Sequence, residues 1–361
     1  MKYQHSFQIG NQTISQESQV YFIADIAANH DGELSRAKEL IWQAAEVKAD
    51  VAKFQHFLAK EIVSDVGFKS LGGQMAHQAK WEKSVYEIYE EYELNREWNA
   101  ELIAECRKAN IEFMTTPYDQ EALDGIDDVV NAYKIGSGDI TWCRFLEQVA
   151  KRGKPVILST GASDLDDVQR AVGAVLKHND QLCLLQCNTN YTNELSNFGY
   201  VNLRVLSTLR ELYPGMPLGL SDHTPGHATV LGSVALGARV IEKHFTDDND
   251  RTGPDHAFSM TPATWREMVD RTRELEASMG DGVKRIEENE IDSAVVQRRC
   301  LRLAREMKKG EILKEADVVS LRPAPDGALA PFELTDWLGA RLAADKGEGE
   351  ALYPNDLRAA T

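Results

Sequence analysis

The sequence has few cysteines and no long apolar run, and these shortages exclude two classes of protein. Five cysteines are present among 361 residues, without a Cys-x-x-Cys pair, and several lie beside apolar residues. We therefore interpret them as buried, reduced thiols rather than as a disulfide framework. No apolar run approaches the roughly 20 residues of a membrane span, and the first residues lack the layout of a signal peptide. We expect a cytoplasmic protein with no membrane partner.

Positive charge is also scarce. The 40 lysines and arginines stand against 57 aspartates and glutamates, which gives a net charge of −17. Such a field repels polyanions, so we expect no nucleic-acid partner. The hydrophobic share of 43% and the charged share of 27% are ordinary for a globular protein. Because the length exceeds the roughly 100–200 residues of an average domain, we expect two cores, or one large core with an appended unit.

Eight short apolar runs each end in a polar or glycine-rich stretch. They lie at Val20–Ile26, Val51–Phe54, Glu112–Thr115, Ala132–Ile135, Val156–Ser159, Leu182–Gln186, Leu218–Ser221 and Val240–Phe245. Most intervals between them carry apolar residues at helical spacing. Strands that alternate with helices predict parallel βαβ units. Eight such units fit an α/β fold of the (β/α)8 TIM-barrel type, with its roughly 250 residues, better than a doubly wound sheet.

The interval between the second and third runs is longer than the others. It contains Trp81, Tyr86, Tyr89 and Tyr92 at near-helical spacing. Such an aromatic face favours a packing or dimer surface over a lid that covers a ligand.

The end of the barrel and a second unit are indicated by turn signals. Thr261 with Pro262 predicts a helix start, and Gly280 with Gly282 predicts its end. A charged stretch follows, which we interpret as a solvated linker. A Lys-Gly-Glu turn at residue 309 recurs at residue 346 and predicts a small β-rich domain. The predicted division is residues 1–283 for the barrel, 284–294 for the linker and 295–361 for the small domain.

A parallel barrel presents its functional groups at the carboxyl ends of its strands, where the loops converge on one mouth. The polar residues at these predicted ends are Asp25, Lys53, Gln55, Lys134, Ser137, Asp139, Ser159, Ser221, His223, Glu242 and His244. Residues two apart on a strand face the same side. Ser221 therefore shares a side with His223, and Glu242 shares one with His244.

Two histidines follow neighbouring predicted strands. His223 and His244 could hold a divalent metal through imidazole nitrogens and leave other coordination positions for substrate and water. Two hydrogen-bonded structural histidines are the alternative, and the spacing does not decide between them.

Two lysines are expected in the lumen, where an unpaired charge is costly. In one interpretation Lys53 and Lys134 bind an anion, together with backbone amides of Gly136–Gly138. The hydroxyl donors at the same strand ends are Ser137, Ser159 and Ser221. In the other interpretation the lysines form buried ion pairs with Asp25 and Asp139. The residues alone indicate a barrel enzyme for a small anionic substrate.

Motifs at these strand ends carry a resemblance to a known family. They are Ile23–Ile26, Asn29–Gly32, Lys53–Gln55, Thr116–Tyr118, Tyr133–Gly138, Leu158–Gly161, Gly219–Thr224, Val234–Ala238, Ile241–Thr246 and Gly253–His256. Here the sequence closely resembles the sialic acid (nonulosonic acid) synthase family, the N-acetylneuraminate synthases, which condense phosphoenolpyruvate with an N-acylated amino-hexose. The small terminal domain resembles the antifreeze-like (SAF) domain of that family, a β-clip fold. Its marks are Lys308–Glu311 and Leu321–Pro323.

The resemblance implies roles for individual residues. A divalent metal, Mn2+ or Mg2+, is implied at His223 and His244, where it would polarise the sugar aldehyde. Asp255 and Tyr191 are implied near the sugar. Arg322 is implied to reach the active site from the partner subunit of a domain-swapped homodimer. The residues implied for binding phosphoenolpyruvate are Lys53, Lys134, Ser137, Ser159 and Ser221, and we add Gln55 as a further substrate-binding residue.

Two positions depart from the family pattern. Asp25 and Asp139 stand where the family usually carries glutamate, so each carboxylate is drawn back by roughly 1.5 Å, the length of one carbon–carbon bond. We keep both as catalytic residues with Asp255. The shorter side chains predict a roomier pocket, which suits a bulkier or differently acylated sugar than N-acetylmannosamine, as in legionaminic acid formation.

The expected reaction is an aldol-like condensation with carbon–oxygen cleavage. Carbon C3 of phosphoenolpyruvate attacks the open-chain aldehyde, water adds at C2 with Asp25 or Asp139 as general base, and phosphate leaves. One alternative is a Schiff-base aldolase in which Lys53 or Lys134 attacks a carbonyl and no metal is needed. The other is a non-catalytic barrel that binds carbohydrate or ice.

Overall fold

The structure is a computed structural model that describes residues 2–72, 74–75, 78–79 and 81–358. The chain divides into two compact units, residues 1–279 and residues 280–361. None of the helices in the described part of the chain has both the length and the apolar character needed to cross a membrane.

The first unit is built on one sheet of eight parallel strands. These are β3 (Tyr21–Asp25), β4 (Val51–His56), β5 (Glu112–Pro117), β6 (Tyr133–Ile135), β7 (Val156–Ser159), β8 (Leu182–Cys187), β9 (Leu218–Asp222) and β10 (Val240–His244). Their order in the sheet is β5-β4-β3-β10-β9-β8-β7-β6. Strands β5 and β6, at the two ends of this row, lie side by side and bring the sheet round into a barrel. The predicted TIM barrel and its eight strands are confirmed.

Helices connect the strands. They are α1 (Leu34–Glu46), α2 (Ala59–Ile62), α3 (Asp65–Ser70), α4 (Val85–Glu91), α5 (Asn99–Ala109), α6 (Gln120–Ile126), α7 (Cys143–Ala150), α8 (Leu165–Leu176), α9 (Val205–Leu212), α10 (Ala228–Ala235) and α11 (Pro262–Ser278). The overlong interval of the sequence contains the extra helices α2, α3 and α4. Helix α11 begins after Thr261, whose hydroxyl accepts a hydrogen bond from the Thr264 amide at 3.5 Å, as the Thr-Pro signal predicts.

The strands are apolar on both faces, as expected when helices cover the outside and side chains fill the inside. In β3, Phe22 and Ala24 pack in the core between strands and helices. Tyr21 and Ile23 belong to a separate cluster inside the barrel. Asp25 has the inward parity of Tyr21 and Ile23, which brings its carboxylate to the mouth.

A hairpin closes the amino-terminal end of the barrel. Strands β1 (Ser6–Ile9) and β2 (Gln12–Ser15) pair antiparallel before the first barrel strand. Phe7, Ile9 and Ile14 of the hairpin are buried among the inner cluster, which contains the first residues of several barrel strands. The sequence analysis did not predict this hairpin. The hairpin fills the lumen at the amino-terminal ends of the strands, so the open space lies at the mouth, at their carboxyl ends.

The second unit contains two antiparallel strand pairs. Its strands are β11 (Cys300–Leu303), β12 (Val318–Leu321), β13 (Arg341–Leu342) and β14 (Leu357–Arg358), and its helices are α12 (Ile291–Gln297) and α13 (Leu334–Trp337). The segments that carry the two Lys-Gly-Glu turns lie beside each other, because Met307 and Lys346 exchange backbone hydrogen bonds of 3.0 Å. The predicted small β-rich domain is confirmed.

Candidate active site

The polar strand ends converge on a small cavity at the barrel mouth, here called the inner cavity. Its volume is about 40 Å³. It is lined by Asp25, Lys53, Gln55, Thr116, Tyr118, Lys134, Gly136, Ser137, Ser159, Cys187, Tyr191, Ser221, His223, Glu242 and His244. Ten of the predicted site residues are in this set. The structure therefore brings together groups from seven different strands or the turns that follow them.

Strand register explains one row of this cavity. Asp25 on β3 is paired in register with Lys53 on β4 and with His244 on β10. Side chains at the same level of adjacent parallel strands with the same parity point to the same side. The backbone pairing alone thus brings together the carboxylate of Asp25, the amine of Lys53 and the imidazole of His244.

Asp25 is held by several donors. Its Oδ2 lies 2.7 Å from Lys53 Nζ and accepts a hydrogen bond of 2.9 Å from Gln55 Nε2, while its Oδ1 accepts one of 3.1 Å from the Ala27 amide. Burial raises the pKa of Asp25, but the charge of Lys53 outweighs this effect and the pKa lies below its usual value. The carboxylate is therefore ionised at neutral pH.

Lys134 is paired with a different acid from the one considered in the sequence analysis. Its Nζ lies 3.1 Å from Glu242 Oε1, and Ser221 Oγ donates a hydrogen bond of 3.2 Å to the same oxygen. The ion-pair alternative thus holds for Lys53 with Asp25, whereas Lys134 pairs with Glu242 and not with Asp139. Glu242 was noticed only for its parity with His244, and that parity was the signal that could have placed it in the site.

Three buried polar atoms of residues that line the inner cavity have no hydrogen-bond partner among the described residues. They are Ser159 Oγ, Glu242 Oε2 and His244 Nδ1. Buried polar groups in folded proteins are almost always hydrogen-bonded. These atoms therefore indicate a polar ligand at this site, and Ser159 was predicted as one of its contacts.

The two predicted metal-binding histidines lie together. Their ring centroids are 5.5 Å apart, and the ring of Tyr191 lies 4.4 Å from that of His223. His223 Nδ1 is 2.9 Å from the carbonyl oxygen of Asn188. Because a carbonyl only accepts, Nδ1 carries a proton, and Nε2 is the ring nitrogen that remains for other partners. Burial lowers the pKa of His244 to about 3, so the ring of His244 is neutral at neutral pH.

The surroundings of His223 and His244 show whether a divalent metal would fit between them. Among the described residues, no group of three or more His, Cys, Asp or Glu side chains is arranged to hold a metal ion. Asp255 Oδ2 is 3.8 Å from His244 Nδ1. The neutral ring of His244, with its unpartnered nitrogen, and Nε2 of His223, which must give up any proton when a metal binds, fit an open site in which water and substrate supply the other ligands.

Cys187 also lines the inner cavity, and the sequence analysis gave it no role. Burial raises the pKa of this thiol, but hydrogen bonds with His223 and Ser137 outweigh the effect and the pKa lies below its usual value. The same thiol keeps the pKa of His223 above its usual value against the effect of burial. A metal at His223 would displace this hydrogen bond, because Nδ1 is already occupied.

A larger cavity, here called the outer cavity, adjoins the inner one. Its volume is about 190 Å³. The residues that line it are Ala28, Gln55, Phe57, Ile62, Trp81, Ile88, Tyr89, Tyr92, Tyr118, Gly136, Ser137, Gly138, Tyr191, His244, Pro254 and Asp255. Gln55, Tyr118, Tyr191 and His244 line both cavities, so the two form a continuous space. Asp255, predicted near the sugar, accepts a hydrogen bond of 3.2 Å from the Ala28 amide.

Helix α4 supplies one wall of the outer cavity. Its start is fixed by reciprocal hydrogen bonds between Ser84 and Glu87. Ile88, Tyr89 and Tyr92 then lie on one helical face and line the cavity with Trp81, whereas Tyr86 is not among the lining residues. The structure therefore favours the ligand-facing interpretation of this aromatic segment, which sequence spacing had ranked second.

The two aspartates that depart from the family pattern lie in different surroundings. Among the described lining residues, Asp25 belongs to the inner cavity only and Asp139 to neither. Asp139 lies in the turn Ser137–Asp139, where burial raises its pKa to about 6 against the opposing charge of Lys134. The shorter side chains therefore do not account for the size of the outer cavity.

Arg322 lies in the second unit, directly after β12. Its predicted role at a partner's mouth stays a prediction, as do the catalytic and binding roles of the other predicted site residues.

Comparisons with known proteins agree with this geometry. The NeuB family model matches residues 40–284, and the SAF domain model matches residues 298–358. The chain is 34% identical over 334 residues to an N,N'-diacetyllegionaminic acid synthase of Campylobacter jejuni, which covers 91% of this chain and 98% of that protein. It is 33% identical over 267 residues to human N-acetylneuraminate-9-phosphate synthase, which covers 74% of this chain and 73% of that protein.

Solved structures give the same result. The N-acetylneuraminic acid synthetase of Leptospira borgpetersenii superposes with a TM-score of 0.71 at 29% identity and covers 81% of this chain and 95% of that one. A TIM barrel followed by a SAF domain is therefore shared along most of the chain. This chain belongs to the NeuB family of sialic acid synthases.

Proposed function

We propose that this protein is a nonulosonic acid synthase. It condenses phosphoenolpyruvate with an N-acylated amino-hexose and water to give a nine-carbon 2-keto acid and phosphate. The sugar is N-acetylmannosamine or a di-N-acetylated 6-deoxy analogue. The observation that carries this proposal is the convergence of two buried lysines and three serines from four strands on one cavity, in a chain of this family.

Phosphoenolpyruvate fits the inner cavity by charge. Lys53 and Lys134 are the cations there, and Ser159 Oγ is a buried donor that lacks a partner among the described residues. Phosphate and carboxylate groups accept charge-assisted hydrogen bonds of this kind. Asp25 and Glu242 balance the two lysines in formal charge, so a further cation is needed for a cavity that attracts an anion.

A divalent ion, Mn2+ or Mg2+, held by His223 and His244, would supply that charge, polarise the sugar aldehyde and stabilise the developing alkoxide. The metal, the homodimer with a swapped terminal domain and the cytoplasmic location remain predictions.

The proposed reaction is an aldol-like condensation with carbon–oxygen cleavage. Carbon C3 of phosphoenolpyruvate forms a bond to the aldehyde carbon of the open-chain sugar. Water then adds to C2, and the bond between C2 and the phosphate oxygen breaks. Asp25 lines the inner cavity as an ionised carboxylate and guides this water as a general base. Asp139 is the second candidate for this role.

The Schiff-base aldolase is disfavoured by the contacts of the lysines. A Schiff base requires an uncharged amine, whereas both amines lie in buried ion pairs with carboxylates. A barrel that merely binds carbohydrate would not require an anion site and a pair of histidines in the same cavity.

A phosphate-release screen tests the proposal. Purified protein is incubated with phosphoenolpyruvate, Mn2+ and a panel of mono- and di-N-acetylated hexoses, and phosphate and the 2-keto acid are measured. We expect equal amounts of both with at least one sugar, and loss of activity with a chelator. Borohydride inactivation that depends on substrate, with full activity in chelator, would establish the aldolase instead. No release with any sugar would support the binding protein.

A further inference from the structure

A buried ion pair lies directly beside the two histidines of the inner cavity. Asp222 precedes His223 at the end of β9, and Lys243 precedes His244 at the end of β10. The two charged residues are paired in register, and Lys243 Nζ forms an ion pair with Asp222 Oδ2. Both side chains are almost completely buried. The pair therefore joins the two strand ends that present the histidines.

The pair lies on the outer face of these strands. Neighbouring residues of a strand point to opposite sides, and both histidines line the inner cavity. Asp222 and Lys243 therefore point away from the lumen, toward the layer between strands and helices. Two residues earlier on the same face, Leu220 and Ile241 belong to the apolar core of that layer. The charges thus interrupt an apolar layer at the level of the histidines.

Hydrogen bonds connect this pair to the backbone around His223. Asp222 Oδ1 accepts hydrogen bonds from the amide of Thr224 at 3.2 Å and from its hydroxyl at 3.0 Å. Asp222 Oδ2 accepts one of 2.7 Å from the hydroxyl of Thr229, in the first turn of α10. Lys243 Nζ donates one of 2.5 Å to the carbonyl oxygen of Thr224. The network holds together the ends of β9 and β10, the turn after β9 and the start of α10.

Stability alone does not account for such a pair. Moving two charges out of water costs free energy that their attraction often does not recover, and apolar residues of similar volume commonly serve a fold as well. A buried network whose polar groups are hydrogen-bonded holds its surroundings in one arrangement. The arrangement held here sets the positions of His223 and His244, whose ring centroids are 5.5 Å apart.

We propose that Asp222 and Lys243 are positioning residues for the binding of a divalent metal by His223 and His244. The inference rests on the proposed function. The carbonyl oxygen of Asn188 fixes the ring of His223, and the ion pair fixes the backbone from which both rings extend. Loss of the pair leaves both imidazoles present but displaced, so metal affinity falls while the protein still folds.

Mn2+ titration of the full-length protein tests this role. Asp222→Asn and Lys243→Met each remove one charge, and the double change Asp222→Leu with Lys243→Met replaces the pair by apolar side chains. Loss of a residue that orients metal ligands typically lowers metal affinity about 10–100-fold. We expect a loss in this range in the single and double variants, measured by calorimetry. We expect the melting temperature of the double variant to lie closer to that of the parent than those of the single variants, because no charge is left unpaired.

Two further variants make the test specific. Val234, buried on α10 in the same apolar layer, does not belong to the ion-pair network. Val234→Ala should lower the melting temperature and retain the Mn2+ affinity of the parent. Thr229→Val removes one donor to Asp222 and keeps both charges, so it should weaken Mn2+ binding less than the charge variants do. It replaces them in the test if they do not fold.

The outcomes separate this inference from the proposed function. Parent-like Mn2+ affinity in the folded double variant, or in Thr229→Val if the charge variants do not fold, would overturn the inference. An equal loss of affinity in Val234→Ala would also overturn it. A parent that binds no Mn2+ but releases phosphate in chelator would overturn the inference and keep the condensation. Mn2+ binding that depends on the pair, without phosphate release from any sugar, would support the positioning role and overturn the proposed function.

Discussion

Lys134 Nζ lies 3.1 Å from Glu242 Oε1, and both side chains are about 95% buried. The two residues stand on β6 and β10, which are not neighbours in the sheet, so they meet across the lumen. A buried pair of this kind is costly to break, because the remaining charge is left without a partner. The same lysine is our candidate for binding phosphoenolpyruvate, so the pair links the stability of the barrel to ligand binding.

We expect variants of Glu242 and of Lys134 to respond differently to phosphoenolpyruvate. Glu242→Gln should lower the free energy of unfolding by about 3–5 kcal/mol, and phosphoenolpyruvate should restore part of it by compensating Lys134. Lys134→Ala should instead weaken phosphoenolpyruvate binding by about 2–4 kcal/mol. Thermal melting with and without ligand, and calorimetric titration, measure both. Lys177→Ala, at an exposed lysine, is the control. Unchanged affinity in a destabilised Lys134→Ala protein would mean that the lysine is only structural.

Metal dependence is tested at the histidines. His223→Ala and His244→Ala should each lose both Mn2+ binding, measured by direct titration, and phosphate release, while the melting curve stays cooperative. The reason is that each removes one of two ligands of an open site. His178→Ala, in a histidine outside both cavities, should behave as the parent. Full turnover of either variant in chelator-treated buffer would contradict the metal site.

Asp139 is expected to make the protein less stable above neutral pH. Its pKa is raised to about 6 in the folded protein, so between about pH 4 and pH 6 the folded state binds more protons than the unfolded state. Stability therefore falls as pH rises through this range. A shift of this size corresponds to about 3 kcal/mol. Asp139→Asn should raise the unfolding free energy by about that amount at pH 8 and by nothing at pH 4, in denaturant titrations at both pH values.

The activity of Asp139→Asn tests whether Asp139 or Asp25 is the general base. If Asp139 is the general base, Asp139→Asn should lower kcat by about 10²–10⁴-fold and remove the decline of activity below about pH 6 that is then expected of the parent. If Asp25 has this role, as its place in the inner cavity favours, Asp25→Asn should cause the loss and Asp139→Asn should keep most activity.

Arg322 provides a test of the predicted domain-swapped dimer. Arg322→Ala and His244→Ala subunits should each be inactive alone. Mixed dimers should recover part of the activity, because one mouth then receives an intact histidine pair and an arginine from across the interface. Size-exclusion chromatography should show a dimer, and a chain that ends after about Glu290 should keep a folded barrel with little activity. Failure to recover activity after verified subunit exchange would rule out the swap.

The sequence predicted the barrel well because its strands are buried on both faces and end abruptly. Runs such as Val156–Ser159 have the same bounds in the structure. Parity within a strand then placed Ser221 on the side of His223, and Glu242 on the side of His244, without any knowledge of the sheet order. Local pattern was sufficient wherever the relevant geometry lay within one strand and its turn.

Contacts between distant strands could not be predicted in this way. The partner of Lys134 depends on the diameter of the barrel and on which side chains meet across it, so Asp139, five residues away, was the nearer but incorrect choice. The aromatic face of α4 required knowledge of how the extra helices fold over the mouth. The hairpin β1–β2 was missed because each strand has only four residues, although Phe7 and Ile9 alternate with polar residues in β1.

The hairpin β1–β2 blocks the amino-terminal end of the barrel lumen, so among the described residues the cavities open at the carboxyl-terminal mouth. Phe7, Ile9 and Ile14 occupy its floor, and the inner cavity adjoins the outer one at the mouth. If phosphoenolpyruvate binds at the lysines and the sugar binds in the outer cavity, we expect phosphoenolpyruvate to bind before the sugar. We likewise expect phosphate released at the lysines to leave after the nine-carbon acid. The closed end and the single described mouth thus predict an ordered reaction, in which phosphoenolpyruvate binds first and the phosphate derived from it leaves last.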